Sequence, residues 1–451
     1  MTHSDSDTLS SQKQLFGHPV GLYVLFFTEM WERFSYYGMR AILVLYLVAE
    51  STADSINPGL NWETGEALGL YGTYTMLVYV ASIPGGWIAD NLLGQKKSVL
   101  YGGILLVLGH SILAVEEMWA FYSGLGLIIA GVGMLKPNIS SMVGGLYSKG
   151  DVRRDKGFII FYIGINIGAF LSSLIVGYVG ETYGWHYGFG LAGIGMTLGL
   201  IQYMYGQKYL SQVGNFIGDK NSSEGENVLK KPLTLIEKDR LVVLFLSFIL
   251  VIVFWGAFEQ AGGLMNIYAS EKTDRILMGW LVPASWFQSL NAMFIIFLGT
   301  TVAAYWAKRK FKNQLSSSLF KMIIGLIIMG TGFFFMSAAA TQYESQGSSA
   351  MYWLVLAYLF HTIGELCISP VALSFITKLA PLKYASLTMG VYFAMTGFGN
   401  KLAGVLGEAS QSMGEFTIFT GIAIFCVVFG GLVLLFRTKL ENLTHGAEDD
   451  N

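Results

Sequence analysis

The chain has 451 residues, of which 53% are hydrophobic and only 13% charged, with 28 lysines and arginines against 30 aspartates and glutamates. A soluble protein of this length would expose too much apolar surface, and repeated apolar runs of about 20 residues point to a polytopic α-helical membrane protein. Such runs exclude barrel strands, which need about ten alternating residues each, and a net charge of −2 marks no nucleic-acid partner.

The polar opening MTHSDSDTLSSQKQ has no apolar core or cleavage site of a signal peptide, so residues 1–19 are expected to form a tail and the first helix to stay in the mature protein. That helix, predicted over 20–48, holds EMWERFSYYGMR. Glu29, Arg33, Tyr37 and Arg40 recur at helical spacing, with Glu32 and Tyr36 beside them, so one polar stripe is expected. Each charge at the membrane centre costs roughly 2.5 to 3.5 kcal/mol even on the lenient scale, so the stripe should face the bundle interior.

Further helices are predicted over 66–90, 97–115, 119–146, 157–179 and 187–207. The second carries Tyr71, Tyr74, Tyr79, Gly85 and Gly86 and closes at Asp90; the third carries His110, expected to be a satisfied core histidine. The fourth contains Gly131, Gly133 and Lys136, the fifth Tyr162. The glycines, with Gly262 and Gly263 later, suit close helix packing, and the tyrosines suit packing or interface positions. Residues 208–239, including GDKNSSEGENVLKKP, read as a polar cytoplasmic linker between halves 20–207 and 240–437.

The second half repeats the pattern over 240–269, 283–306, 319–340, 350–377, 385–408 and 415–436, with a tail at 438–451. Trp255 and Glu259 fall in the seventh helix, His361 and Glu365 in the tenth, and Tyr392, Lys401 and Glu408 in the eleventh. His361 is spaced to hydrogen-bond Glu365, and Lys401 to snorkel or pair with Glu408. Cys367 and Cys426 both lie in predicted helices, so no disulfide framework is expected.

Lysines and arginines gather in alternate connections: Lys96 and Lys97; Lys149, Arg153, Arg154 and Lys156; Lys308, Arg309, Lys310 and Lys312; Lys378 and Lys383; Arg437 and Lys439. The positive-inside rule then puts both termini in the cytoplasm. Six helices and six around a midplane site suit an alternating-access carrier. Cations and carboxylates from both halves suit a cavity for a zwitterion, and a carboxylate shared between a basic partner and a proton could couple transport to protons. No pore-loop filter or HExxH pair appears, so neither a channel, a metal site nor an enzyme is expected, and no cofactor beyond the proton as coupling ion.

Over nearly its whole length the chain resembles the proton-dependent oligopeptide transporters, a branch of the major facilitator superfamily, and among them a bacterial-type symporter. Glu29-x-x-Glu32-Arg33-Phe34-x-Tyr36-Tyr37-Gly38 matches the family's ExxERFxYYG, Phe161 to Gly168 matches its aromatic stretch ending in N-x-G, and GGWIADNLLGQKK looks like the superfamily's loop motif. The resemblance implies an all-α major facilitator fold of twelve transmembrane helices in two six-helix bundles, importing dipeptides and tripeptides with protons across the bacterial inner membrane. It assigns proton coupling to Glu29, Glu32, Arg33, Lys136 and Glu259. It assigns the peptide carboxylate to Arg40 and Lys136, with Tyr37, Tyr79 and Tyr162 lining the pocket, and the amine and backbone to Asn166, Asn291 and Glu365. Trp255 accompanies Glu259, and Tyr392 stands where many members have tryptophan. The connection from Gln207 to Lys238 is too short and polar for the two extra helices common in bacterial members. The same architecture carrying nitrate, nucleosides or drug-like compounds, and a receptor that does not transport, remain the alternatives.

Overall fold

The structure is a computed structural model that describes residues 13–52, 57–148, 151, 153–211, 213–215, 233–381 and 385–447. The start of the expected N-terminal tail, Lys149, Lys383, most of the expected linker (216–232) and the last four residues lie outside the described residues.

Helices α1 (Val20–Val48), α2 (Thr64–Val80), α3 (Ser82–Ile88), α4 (Gln95–Leu113), α5 (Met118–Gly145), α6 (Arg154–Tyr183) and α7 (Trp185–Gly206) occupy the first six predicted intervals. The second interval is divided, α3 continuing α2 and ending in a π turn, Ala89–Leu93, that contains Asp90. The seventh is interrupted as well: α8 (Leu235–Phe258) passes through a 3-10 turn, Glu259–Ala261, into α9 (Leu264–Lys272). Then follow α10 (Trp286–Phe311), α11 (Ser318–Gln346), α12 (Met351–Leu379), α13 (Ala385–Met413) and α14 (Glu415–Asn442).

Among the described residues, eight helical stretches are long and apolar enough to cross a membrane. The helix α1 is not one of them, because Glu29, Glu32, Arg33 and Arg40 interrupt its apolar character. Local signals explain several helix ends. Thr234 and Glu237 form a reciprocal capping box at the start of α8, with Thr234 N donating to Glu237 Oε2 at 2.8 Å. Gly347 closes α11 in the left-handed region at φ 77°.

The chain divides into two compact units, one comprising Met1–Asn61 and Leu77–Lys220, the other Trp62–Met76 and Asn221–Asn451. In the first, α1 packs on α6 and α7, and α4 on α5 and α7. A short antiparallel hairpin, β1 (Gln14–Leu15) with β2 (His18–Pro19), precedes α1. His18 Nδ1 bonds the Tyr147 hydroxyl at 2.8 Å, and Arg153 donates to the Gly17 carbonyl at 3.1 Å.

In the second unit α11 packs on α12 and α14, α8 on α13, and α10 on α12. Two further two-residue pairings lie in it: β3 (Thr273–Asp274) runs parallel to β6 (Ser349–Ala350), and β4 (Ile276–Leu277) forms a hairpin with β5 (Trp280–Leu281). The opening residues of α2 belong here because small residues let its backbone approach α13. A Cβ on Gly72 would stand 2.8 Å from Gly404 Cα. Beside that contact, Lys401 Nζ donates to Thr73 Oγ1 at 2.8 Å and lies 3.5 Å from the Gly69 carbonyl. Lys401 therefore neither snorkels nor pairs with Glu408, because a hydroxyl and a helix carbonyl on α2 satisfy it first.

The glycines expected to pack closely divide. A Cβ on Gly85 would fall 2.0 Å from the Gly133 carbonyl, and one on Gly131 would strike Leu106, whereas Gly86 has open space. His110 is fully buried as expected, but neither ring nitrogen makes a hydrogen bond among the described residues, so it is a core histidine without the partners anticipated for it.

Candidate functional site

Each unit holds its own group of buried polar side chains. In the first unit α1 supplies most of them. Arg33 Nε lies 3.1 Å from Glu29 Oε1, and it also contacts Glu32 Oε2, with all three side chains almost completely buried. Two carboxylates thus compete for one guanidinium. Among the described residues Glu29 Oε2 and Glu32 Oε1 accept no hydrogen bond, which leaves buried acceptor capacity that a proton could fill.

The remaining cations of this group rest on aromatic faces. The Arg40 guanidinium lies 4.7 Å from the centre of the Tyr37 ring, and Lys136 Nζ lies 3.7 Å from that of Tyr79. Arg33 also faces Tyr36 and Tyr37 at 5.5 and 5.7 Å. Lys136 forms no ion pair with Glu29 or Glu32, so the tyrosine face holds its charge in place without neutralising it. Pro137, next to it inside α5, has no N–H to donate to the Gly133 carbonyl.

The helix α6 reaches this cluster through glycine. A Cβ on Gly168 would fall 2.2 Å from the Met30 carbonyl and 3.1 Å from Arg33 Cβ. The N-x-G spacing therefore brings α6 onto the charged turn of α1. Asn166 is buried, and its amide donates to the Tyr162 carbonyl at 2.9 Å; the Tyr162 side chain is 39% exposed.

In the second unit Asn291 on α10 donates to Glu365 Oε2 at 2.7 Å and to Thr362 Oγ1 at 3.1 Å. Thr362 in turn donates to the Tyr358 carbonyl at 2.7 Å, so one hydrogen-bonded chain fixes Asn291 and Glu365. His361 is not part of it. Its ring packs tilted against Phe333, with centroids 4.4 Å apart, and its nitrogens have no hydrogen-bond partner among the described residues. The expected His361–Glu365 bond is replaced because His361 turns toward α11 while Thr362 takes the side facing α10.

Glu259, also buried, caps the end of α8 at the 3-10 break and accepts a hydrogen bond from Tyr71 at 2.9 Å. Trp255, one turn earlier, packs edge-on to Phe254 and Phe258. Tyr392 is buried beside Phe393 on α13. Glu29, Glu32, Arg33, Tyr37 and Arg40 thus cluster on α1, Lys136 pairs with Tyr79, and Asn291 pairs with Glu365. Sequence reasoning missed Thr362 and the partnership of Tyr71 with Glu259. The three-residue spacing of Thr362 and Glu365 was a usable signal, whereas Tyr71 and Glu259, 188 residues apart, offered none.

Residues 96–224 and 223–418 match a family model described as the POT family. The chain is 33% identical to a peptide transporter of Yersinia enterocolitica, covering 97% of each chain. To a di-/tripeptide transporter of Lactococcus lactis subsp. cremoris it is likewise 33% identical, covering 96% of this chain and 98% of that one. It is 38% identical over 96% of its length to an uncharacterized transporter of Bacillus subtilis. The fold matches a crystal structure of a POT peptide transporter in complex with sulfate, with a TM-score of 0.90 at 34% identity, covering 97% of this chain and 99% of that one.

Proposed function

This chain belongs to the POT family, and from that premise we propose that it imports dipeptides and tripeptides together with protons by alternating access. The observation that carries the reading is the sharing of Arg33 between buried Glu29 and Glu32. One cation cannot hold two ionised carboxylates equally well, so a proton on one of them weakens that glutamate's hold on Arg33, leaves the guanidinium to the other and changes the charge of α1. Proton loading then biases reorientation of the carrier.

The peptide is recognised by what all peptides share. Arg40 and Lys136, held over Tyr37 and Tyr79, receive the C-terminal carboxylate. Glu365, oriented by Asn291 and Thr362, receives the amine. Tyr162 and Asn166 in the first unit, and Trp255 and Tyr392 in the second, are further candidates for contacting the peptide, and Glu259 adds a second proton-responsive carboxylate. Reading only the termini tolerates many side chains. An amine-binding glutamate has no use in a nitrate carrier, which favours peptides over that alternative.

The orientation proposed is both termini in the cytoplasm of a bacterium, with the chain in the inner membrane, as the distribution of basic residues indicates. The deciding experiment is uptake of labelled dialanine into proteoliposomes. Accumulation against a concentration gradient when an inward proton gradient is imposed, with counterflow in its absence, is the expected result. Binding without counterflow would instead identify a receptor, and transport of nitrate without competition by peptides would identify a different cargo.

A further inference from the structure

Beyond the transport site, the outward face of α10 carries a row of residues that peptide transport leaves unexplained. Phe297, Thr301, Tyr305, Lys308 and Lys312 follow one another by four, four, three and four residues, so they form one stripe, and every one of them is exposed. Phe297 is 69% and Tyr305 53% exposed, and Phe311, between the two lysines in the final turn, is 90% exposed.

The stripe changes character along its length, from apolar and aromatic to cationic. The 11-residue separation of Phe297 and Lys308 corresponds to a rise of about 16 Å on a helix. That matches one leaflet of hydrocarbon, about 15 Å or half of a typical core. A lipid lying against α10 would thus place its acyl chains on Phe297 to Tyr305 and its headgroup at the lysines.

The geometry of the last turn keeps these lysines available. Arg309 is engaged: its Nε donates to the Leu315 carbonyl at 2.9 Å, its Nη1 donates to the Tyr305 hydroxyl at 3.3 Å, and its guanidinium lies over Trp306. Lys312 N closes on the Lys308 carbonyl at 3.1 Å, which fixes the backbone carrying both lysines. Lys308, Lys310 and Lys312 make no side-chain ion pair among the described residues. The helix dipole favours cations in a last turn, but it does not account for an almost fully exposed phenylalanine between them.

We propose that this stripe is a binding site for an acidic phospholipid, with Lys308 and Lys312 on the phosphate-bearing headgroup and Phe311 at the level of its glycerol. The site requires that the chain spans a bilayer and is independent of the solute carried. Basic residues beside a membrane helix attract anionic headgroups by about fivefold each.

The test uses the full chain purified in detergent and offered equal amounts of phosphatidylglycerol and phosphatidylcholine of identical acyl composition, with retained lipid counted by native mass spectrometry. Phosphatidylglycerol is expected to be retained in preference. Lys308→Gln with Lys312→Gln should lower that preference by on the order of twenty-five-fold, whereas Lys238→Gln with Lys439→Gln should leave it unchanged. Phe311→Ser should weaken retention of both lipids. An unchanged Tm before lipid addition shows that each variant is folded. Equal retention of the two lipids by the unmodified chain, or a preference insensitive to Lys308 and Lys312, would overturn the proposal. Displacement of phosphatidylglycerol by inorganic phosphate would identify a free-anion site in place of a lipid site.

Discussion

The Tyr71 hydroxyl donates to Glu259 Oε2 at 2.9 Å, and both side chains are almost completely buried. This bond ties the opening of α2 to the break between α8 and α9 and satisfies one buried carboxylate oxygen of Glu259. Tyr71→Phe should therefore destabilise the second unit by about 1 to 3 kcal/mol, seen as a lower Tm. In a Glu259→Leu background the same change should have a much smaller effect. Fully additive losses would show that the two groups act independently.

The shared guanidinium leads to a second expectation. Glu32→Gln should abolish gradient-driven dialanine uptake while leaving counterflow intact, because exchange needs no net proton movement. The same pair of assays on Glu29→Gln assigns the coupling proton between the two. Undiminished uphill uptake in either variant removes that glutamate from the coupling step.

Lys136 is held over Tyr79 by a cation–π contact of 3.7 Å, worth roughly 0.5 to 2 kcal/mol. Lys136→Ala should weaken binding of dipeptides more than of their C-terminal amides. Tyr79→Phe, which keeps an aromatic face, should preserve more affinity than Tyr79→Leu. Equal losses for acids and amides in Lys136→Ala would contradict a carboxylate-reading role.

Thr362 and Asn291 orient Glu365. Thr362→Val should raise KM for dialanine uptake several-fold with little change in kcat, and N-acetylated dipeptides, which lack the amine, should discriminate little between variant and parent. His361→Leu should leave the amine preference unaltered, since His361 packs against Phe333 and not on the glutamate. A His361 variant that loses this preference would reverse the assignment.

The hairpin before α1 should respond to pH. Burial and the neighbouring Arg153 charge hold His18 below its ordinary value of 6.5. The undocked hairpin then binds a proton more readily than the docked one, so docking is complete above about 6.5 and weakens as pH falls below it. Asp151 has its carboxyl held down to about 2 by hydrogen bonds from Arg153, so it stays ionised across this window. Amide exchange protection of residues 14–19 should fall between neutral pH and pH 5, and His18→Gln should flatten that dependence. Constant protection in the parent chain would exclude the switch.

The predicted intervals locate the helices well because a membrane helix must satisfy its backbone within one segment and carry about 20 apolar residues, both local requirements. Two breaks were not legible. The interruption at Glu259–Ala261 and the division at Ala81 between α2 and α3 lie inside continuous apolar stretches, where period and hydropathy carry no signal. His361 and Lys401 were assigned partners on their own helices, the only neighbours that spacing reveals. Packing against α11 and α2 gave them others.

By itself, then, the sequence determined the class of protein, the helical intervals and the polar stripe of α1, because hydropathy and a 3.6-residue period act within a single segment. Its motif residues also named the chemistry to look for. Only the tertiary structure decided which charges pair, which rest on aromatic rings and which are oriented by hydrogen bonds. Those choices depend on distances between helices far apart in the chain. Close glycine contacts, such as Gly168 against Met30 and Gly72 against Gly404, set those distances.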